Sequence, residues 1–500
     1  MVDDLSAVRA SATRRAIGLA AGAAGLLLTL LLPAPAGLEA EAWRTAGVTL
    51  LMICWWISEA VPIPVTALVP LVAFPLLGIL NMEAAAAPYA NPIVFLFFGG
   101  FVLARAVEKW GLHRRVALHV VRAAGTRPSR LVGGFMLAAA ALSMWISNTA
   151  TAIMMLPIGI SLIALVEGTP GAEPARLRNF GLALMLGIAY GASIGGIGTL
   201  IGTPPNALLA GFMLENYGFR VGFVQWMLVG LPIVAVLLPV TWLILTRWVF
   251  AVDQTEYPET ARLIREEISA LGAPGRGERM VAAVFLLTAA AWVTRPLYEP
   301  WLPGLTDTGI AIAAAISLFL LPVHPERGEF LLDWKAAEGL PWGVLLLTGG
   351  GLSLAAAVSR TGLAGWVGTG LATLDTLPVL ALMFAFTVVL VLLTEIMSNT
   401  AALAAFLPVI AAVALGLGAH PLLLAVPAAV GASCAFMMPM ATPPNAIVFS
   451  SGRVTIPQMA RAGVALNLAA IALIPPLCYL LLILVFGFGL NGEVPAPVTP

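Results

Sequence analysis

Charge is scarce in this 500-residue chain: 25 basic and 25 acidic residues make up a tenth of it, against 60% hydrophobic. A soluble domain carries roughly a quarter charged residues, so water cannot be the solvent for most of this surface, and lipid must take its place. The formal net charge is zero, which argues against a nucleic-acid partner, since that kind of binding draws on an excess of basic side chains. Cysteine is nearly missing. Cys54, Cys434 and Cys478 stand in separate apolar segments with no CxxC pair, so neither disulfides nor a cysteine-based metal site is expected. His113, His119, His324 and His420 fall near expected loops and form no convincing metal site or proton relay. No resident cofactor is expected.

What is abundant is continuous apolar sequence. Inside hydrocarbon every backbone polar group needs an internal partner, which leaves helices or a closed barrel. Runs of about 17–25 residues, rather than short alternating segments, select helices. The expected fold is an all-α polytopic membrane protein of eleven spans, near 16–32, 43–60, 63–80, 92–108, 179–201, 223–250, 280–296, 306–321, 341–358, 422–441 and 463–488. Two further stretches, 131–166 and 378–416, are interrupted at their centres by Ser-Asn-Thr. A polar break halfway along an apolar stretch predicts a re-entrant hairpin whose tip stops within the membrane, buried in protein. Arg14 and Arg15 before Ala16–Leu32 could pass for a signal peptide. The run is long for one, and Asp3 and Asp4 lie upstream, so an uncleaved helix is expected.

The chain repeats itself. Ser147-Asn148-Thr149 recurs 251 residues later as Ser398-Asn399-Thr400, and the same offset relates Pro157 to Pro408, Gly99-Gly100 to Gly350-Gly351, and Gly111-Leu112 to Gly362-Leu363. Thr203-Pro204-Pro205-Asn206 recurs as Thr442-Pro443-Pro444-Asn445 at an offset of 239. An odd number of crossings between copies inverts the second. Basic residues agree: the segment 109–130 carries Lys109, Arg114, Arg115, Arg122, Arg127 and Arg130, whereas its counterpart 360–381 carries Arg360 alone. Basic residues mark cytoplasmic loops, so the N-terminus is expected inside and the C-terminus outside. The chain divides into an N-terminal segment with the first helix (1–42), repeat 1 (43–252), a cytoplasmic connector (253–279), repeat 2 (280–488) and a tail (489–500). Inverted repeats with helices broken near mid-membrane are the architecture of secondary transporters.

The repeated motifs offer neutral chemistry. Hydroxyls and amides supply donors and acceptors, prolines end helices and free carbonyls, and helix N-termini favour anions. None of these side chains is ionised, and a bare charge at mid-bilayer costs about 2.5–3.5 kcal/mol or more. A multiply charged anion there needs a co-bound alkali cation, which predicts Na⁺-coupled uptake of an oxyanion.

Trp55-Trp56-Ile57-Ser58-Glu59-Ala60-Val61-Pro62-Ile63-Pro64, both Ser-Asn-Thr triplets, Ile201-Gly202 with the first Thr-Pro-Pro-Asn, Ala441 and Ala446 around the second, and Pro341-Trp342-Gly343 leading into Gly349-Gly350-Gly351 together resemble the divalent-anion:sodium symporter family, carriers of di- and tricarboxylates and sulfate. The resemblance runs over nearly the whole chain. It implies a homodimer in the lipid bilayer, here expected in a bacterial inner (plasma) membrane, working by an elevator motion. It implies one sodium site at Ser143, Ser147, Asn148 and the Gly196–Gly198 region, and a second at Thr394, the Met397 carbonyl, Asn399 and Ala441. Substrate carboxylates meet Asn148, Thr149, Thr203, Asn399, Thr400 and Thr442, with Pro204 and Pro443 shaping the walls. Asn206, Asn445, Ser398 and Glu395 support these sites.

Plainer roles stand beside these. The triplets could cap helices or join them, and the prolines could only kink. Glu395, whose counterpart is Met144, is either functional or paired with a basic group or a watery cavity. Glu59 reads as a structural pair, Asp307 as a helix N-terminal charge or cap, and the tryptophans as interfacial anchors. The expected cargo is a C4-dicarboxylate such as succinate, fumarate or malate. Citrate or sulfate as cargo, and H⁺ or anion exchange as driver, stay open. A membrane enzyme would need a nucleophile with its base, and Ser161 has no histidine at its depth. A channel would need a continuous pore.

Overall fold

A computed structural model describes residues 2–167, 174–252, 258–370 and 377–488, so the tail at 489–500 lies outside the described residues. Most of it is helix, with one small two-stranded hairpin of Pro322–His324 and Glu329–Phe330 departing from the all-α expectation. Among the described residues nine helices are long and apolar enough to cross a membrane, from Ala12–Leu31 to Ile456–Phe486, and shorter apolar pieces such as Asp307–Leu320, Val379–Thr394 and Leu422–Ala432 stand between them.

Both interrupted stretches form helical hairpins. The first pairs Pro128–Ser143 with Asn148–Glu167, and the second pairs Val379–Thr394 with Asn399–Gly416. Their boundaries differ by the same 251 residues as their motifs: Ser143 and Thr394 end the entering helices, Asn148 and Asn399 begin the returning ones. Behind each hairpin a helix breaks. Pro174–Gly196 gives way to Pro204–Tyr217, and Leu422–Ala432 to Pro443–Ser450. The expected single span at 422–441 is therefore a half-helix followed by ten irregular residues, 433–442, before Pro443 opens the next helix.

Small residues let these helices meet backbone to backbone, as apolar solvent demands when no hydrophobic drive holds helices together. A Cβ on Gly195 would lie 2.3 Å from the Ala140 carbonyl oxygen, so only glycine lets the broken helix lie against the first hairpin. The two copies are also joined directly: the Tyr190 hydroxyl donates to the Phe436 carbonyl at 2.8 Å.

Several tryptophans depart from the interfacial role expected of them. Trp56, Trp226 and Trp292 are fully buried, and burial is tolerated because each indole N–H finds a carbonyl. Trp226 donates to Ile197 at 2.9 Å and Trp292 to Asp307 at 3.0 Å. Trp145, at the first hairpin tip, stacks on Phe223 and Trp292. Asp307 stands in the first turn of its helix, as expected of an N-terminal charge, but is not its cap. Thr306 is the cap, accepting from Gly309 N–H at 3.1 Å. The Asp307 carboxylate instead pairs with Arg295 at 3.1 Å, both side chains more than 90% buried, and accepts the Phe223 N–H at 3.2 Å. A buried charge demands such a partner.

Candidate functional site

The two Thr-Pro-Pro-Asn motifs adopt the same local structure. Thr203 (φ −144°, ψ 142°) and Thr442 (φ −139°, ψ 149°) are extended cap residues, each followed by prolines in the first turn of a helix, where a missing N–H costs nothing. The asparagine closing each motif bolts the break together. Asn206 Nδ2 donates to the carbonyls of Gly196 (3.1 Å) and Thr199 (2.7 Å). Asn445 Nδ2 donates to those of Ala435 and Met438, both at 3.1 Å. Each pair of acceptors is related by 239 residues, so the offset that relates the motifs also relates their bonds.

Oxygen atoms gather around the first hairpin tip. Ser143 Oγ is bonded to Asn148 Oδ1 and lies 2.6 Å from the Ala192 carbonyl. A hydroxyl has one proton for those two acceptors, which leaves an electron-rich cluster suited to a cation. Gly196 and Gly202 close it: a Cβ on Gly196 would sit 2.9 Å from Asn148 Oδ1 and 3.1 Å from the Gly202 oxygen. A Cβ on Gly198 would meet Met144 at 3.1 Å, and Ser147 Oγ accepts the Ala150 N–H at 3.1 Å as a helix cap. Gly202 was missed in the sequence although the signal was present, since it lies 239 residues before Ala441. Gly196→Ala fills this space and is expected to cut Na⁺-dependent uptake at least about tenfold, the order of one lost charge-assisted contact. Gly365→Ala, which meets open space, should behave as wild type in the same assay.

The second tip differs. Thr394 Oγ1 donates back into its own helix, to the Leu390 carbonyl at 2.9 Å, and Met397 is buried. Asn399 Oδ1 is shielded and has no protein partner. Ser398 occupies the cap position without a side-chain cap bond. Glu395, 5% exposed, lies in a nest of consecutive amides. It accepts the N–H groups of Phe436 (2.8 Å), Met437 (3.0 Å) and Met438 (3.0 Å), and Asn467 Nδ2 at 2.7 Å. No basic side chain is among these partners; the carboxylate is held by the irregular backbone of the second break.

All four motifs face one cavity of about 600 Å³, within the usual span of small-molecule sites, roughly 300–1,000 Å³. Asn148, Thr149, Thr203 and Pro204 line it from one copy, and Asn399, Thr400, Thr442, Pro443 and Ala441 from the other. The facing wall is charged: Glu59, Arg105 and Glu108 also line the cavity, with Arg105 and Glu108 paired at 2.7 Å. Arg105 and Glu108 escaped notice in the sequence because they sit at the end of an apolar run, where a charge reads as a helix terminus.

The family described as "Sodium:sulfate symporter transmembrane region" matches residues 13–487. The chain belongs to that symporter family. Its relatives include the sodium-dependent dicarboxylate transporter SdcS of Staphylococcus saprophyticus, 41% identical over 96% of this chain and 93% of the relative. SdcS of Staphylococcus aureus strain USA300 matches to the same extent. Among solved structures, the YdaH transporter of Alcanivorax borkumensis superimposes with a TM-score of 0.59 at 16% identity, covering 89% of this chain and 99% of that one. Neisseria gonorrhoeae MtrF superimposes at 0.55 and 14% identity, covering 98% and 97%. At such identities the likeness speaks for the fold alone. This symporter-family chain is thus an integral membrane transport protein, not an enzyme.

Proposed function

We propose that this symporter imports C4-dicarboxylates such as succinate, fumarate or malate, coupled to Na⁺. The observation that carries this reading is the convergence of both Ser-Asn-Thr and both Thr-Pro-Pro-Asn motifs on one cavity, in a chain 41% identical to sodium-dependent dicarboxylate transporters. A dianion offers a carboxylate to each half of a duplicated cradle. Hydroxyls, amides and helix N-termini meet its oxygens. Na⁺ held at the oxygen cluster of Ser143, Asn148, the Ala192 carbonyl and the Gly196–Gly202 pair offsets charge that the neutral motifs leave uncompensated. A second Na⁺ joins Thr394, Met397, Asn399 and Ala441.

The protein works as a homodimer in the bacterial inner membrane, N-terminus inside and C-terminus outside. Each copy moves its hairpins and broken helices as an elevator against the remaining helices. We read the cavity, whose lining includes Glu108 next to the basic Lys109–Arg130 segment, as opening toward the cytoplasm.

Uptake of radiolabelled succinate into proteoliposomes, with and without an inward Na⁺ gradient, tests the coupling. Uptake is expected to collapse to the level of empty liposomes when choline replaces Na⁺. Na⁺-indifferent uptake would refute it. Unlabelled sulfate and citrate as competitors test the cargo, because hydroxyl and amide donors accept either oxyanion; stronger inhibition by sulfate than by succinate would shift the assignment to sulfate.

A further inference from the structure

Facing the duplicated cradle stands an arginine that the repeat does not duplicate. The position 251 residues beyond Arg105 is Ala356, which is 2% exposed. The motifs that line the cavity occur twice, whereas Arg105 occurs once. Among the described residues that line the cavity it is the single cation, beside Glu59 and Glu108. Its Nη1 bonds Glu108 at 2.7 Å while the two side chains stay 39% and 18% exposed. Its Nε is buried without a partner, and its Nη2 points into the space over Gly339, 3.4 Å from where a Cβ would stand. The guanidinium is thus only partly engaged.

An i,i+3 ion pair of this exposure is screened by water and contributes little, so exchanging one carboxylate for another costs little. A guanidinium fork binds carboxylates bidentately. Without Arg105 the wall would present two carboxylates and repel a dianion. We propose that Arg105 is a specificity residue for this mouth: it takes a substrate carboxylate in exchange for Glu108, draws the dianion between cytoplasmic water and the cradle, and Glu108 competes it off again. The proposal rests on the dianion reading of the cavity and deepens it.

The test is the succinate KM measured at the cavity mouth, by efflux from preloaded proteoliposomes, in wild type, Arg105→Gln, Arg105→Lys and Glu108→Gln. Arg105→Gln is expected to raise KM about tenfold or more, the order of a lost charge-assisted bidentate contact, with the half-saturating Na⁺ concentration within twofold. Arg105→Lys should recover part of the loss. Glu108→Gln, which frees the guanidinium, should lower KM several-fold. Raising choline chloride should raise the wild-type KM by screening and leave that of Arg105→Gln nearly flat. A KM for Arg105→Gln within twofold of wild type, or a raised KM for Glu108→Gln, overturns the proposal. Should Arg105→Gln fail to fold, Glu108→Gln alone decides between a lowered and an unchanged KM. Failure of the underlying reading looks different, because wild type itself would then move no succinate.

Discussion

Asn148→Ala is expected to bring Na⁺-driven succinate uptake down to that of empty liposomes, a loss of about a hundredfold or more, while the protein still elutes as a single folded species. The asparagine oxygen is the atom on which the Ser143 hydroxyl and the Gly196–Gly202 approach converge, and the same side chain lines the cavity. On the proposed reading it meets cation and anion at once. A polar contact to a charged partner contributes about 1.5–3 kcal/mol, and losing a hydrogen bond to the anion together with an oxygen ligand to the cation exceeds two factors of ten. The apo fold loses far less, a single half-buried bond worth about 1 kcal/mol. Asn399→Ala should do the same through the second tip, where Oδ1 has no protein partner in competition for it. Retention of more than a tenth of wild-type uptake, with unaltered Na⁺ dependence, would remove Asn148 from the site.

The second large effect is expected at Glu395, on stability as well as transport. Glu395→Ala strands the amides of Phe436, Met437 and Met438 and the side-chain N–H of Asn467. Each buried donor left without an acceptor costs about 1–3 kcal/mol, and three of the four belong to consecutive residues whose backbone has no helix to fall back on. The melting temperature in detergent should drop by about 5 °C or more, and the half-saturating Na⁺ concentration should rise, since Ala441 follows in the same irregular stretch. Glu395→Gln keeps one oxygen but turns an amide NH₂ toward the nest, so an intermediate loss is expected. Met144→Ala, at the repeat-related position, should be milder because no such nest depends on it. Wild-type melting and Na⁺ dependence in Glu395→Ala would show that the carboxylate braces nothing.

Much of the candidate site is legible in the sequence. The offsets of 251 and 239 pair Ser143 with Thr394, Asn148 with Asn399 and Thr203 with Thr442, and in both copies helices end at the first pair, begin at the second and are capped by the third. Arithmetic worked because each repeat must solve the same problem, ending a helix inside an apolar medium, with the same few residue types. It worked less well where the copies diverge. Glu395 has methionine as its counterpart and Arg105 has alanine, so no internal comparison could say what either does. Tryptophans at the ends of apolar runs read as membrane anchors, but one-dimensional position cannot tell the lipid side of a helix from its packed side.

The chain alone settled its solvent, its helical class and its duplicated polar breaks, because hydrocarbon tolerates few ways of satisfying a backbone and composition reveals which is used. Only the three-dimensional packing decided that four motifs scattered over almost 300 residues share one cavity, that Asp307 takes the Phe223 amide and Glu395 the Asn467 side chain from far along the chain, and that a charged wall faces the neutral cradle. Those facts depend on which helix faces meet. That choice comes from close contacts between small residues distant in sequence, such as Gly195 on Ala140, and local periodicity carries no record of them.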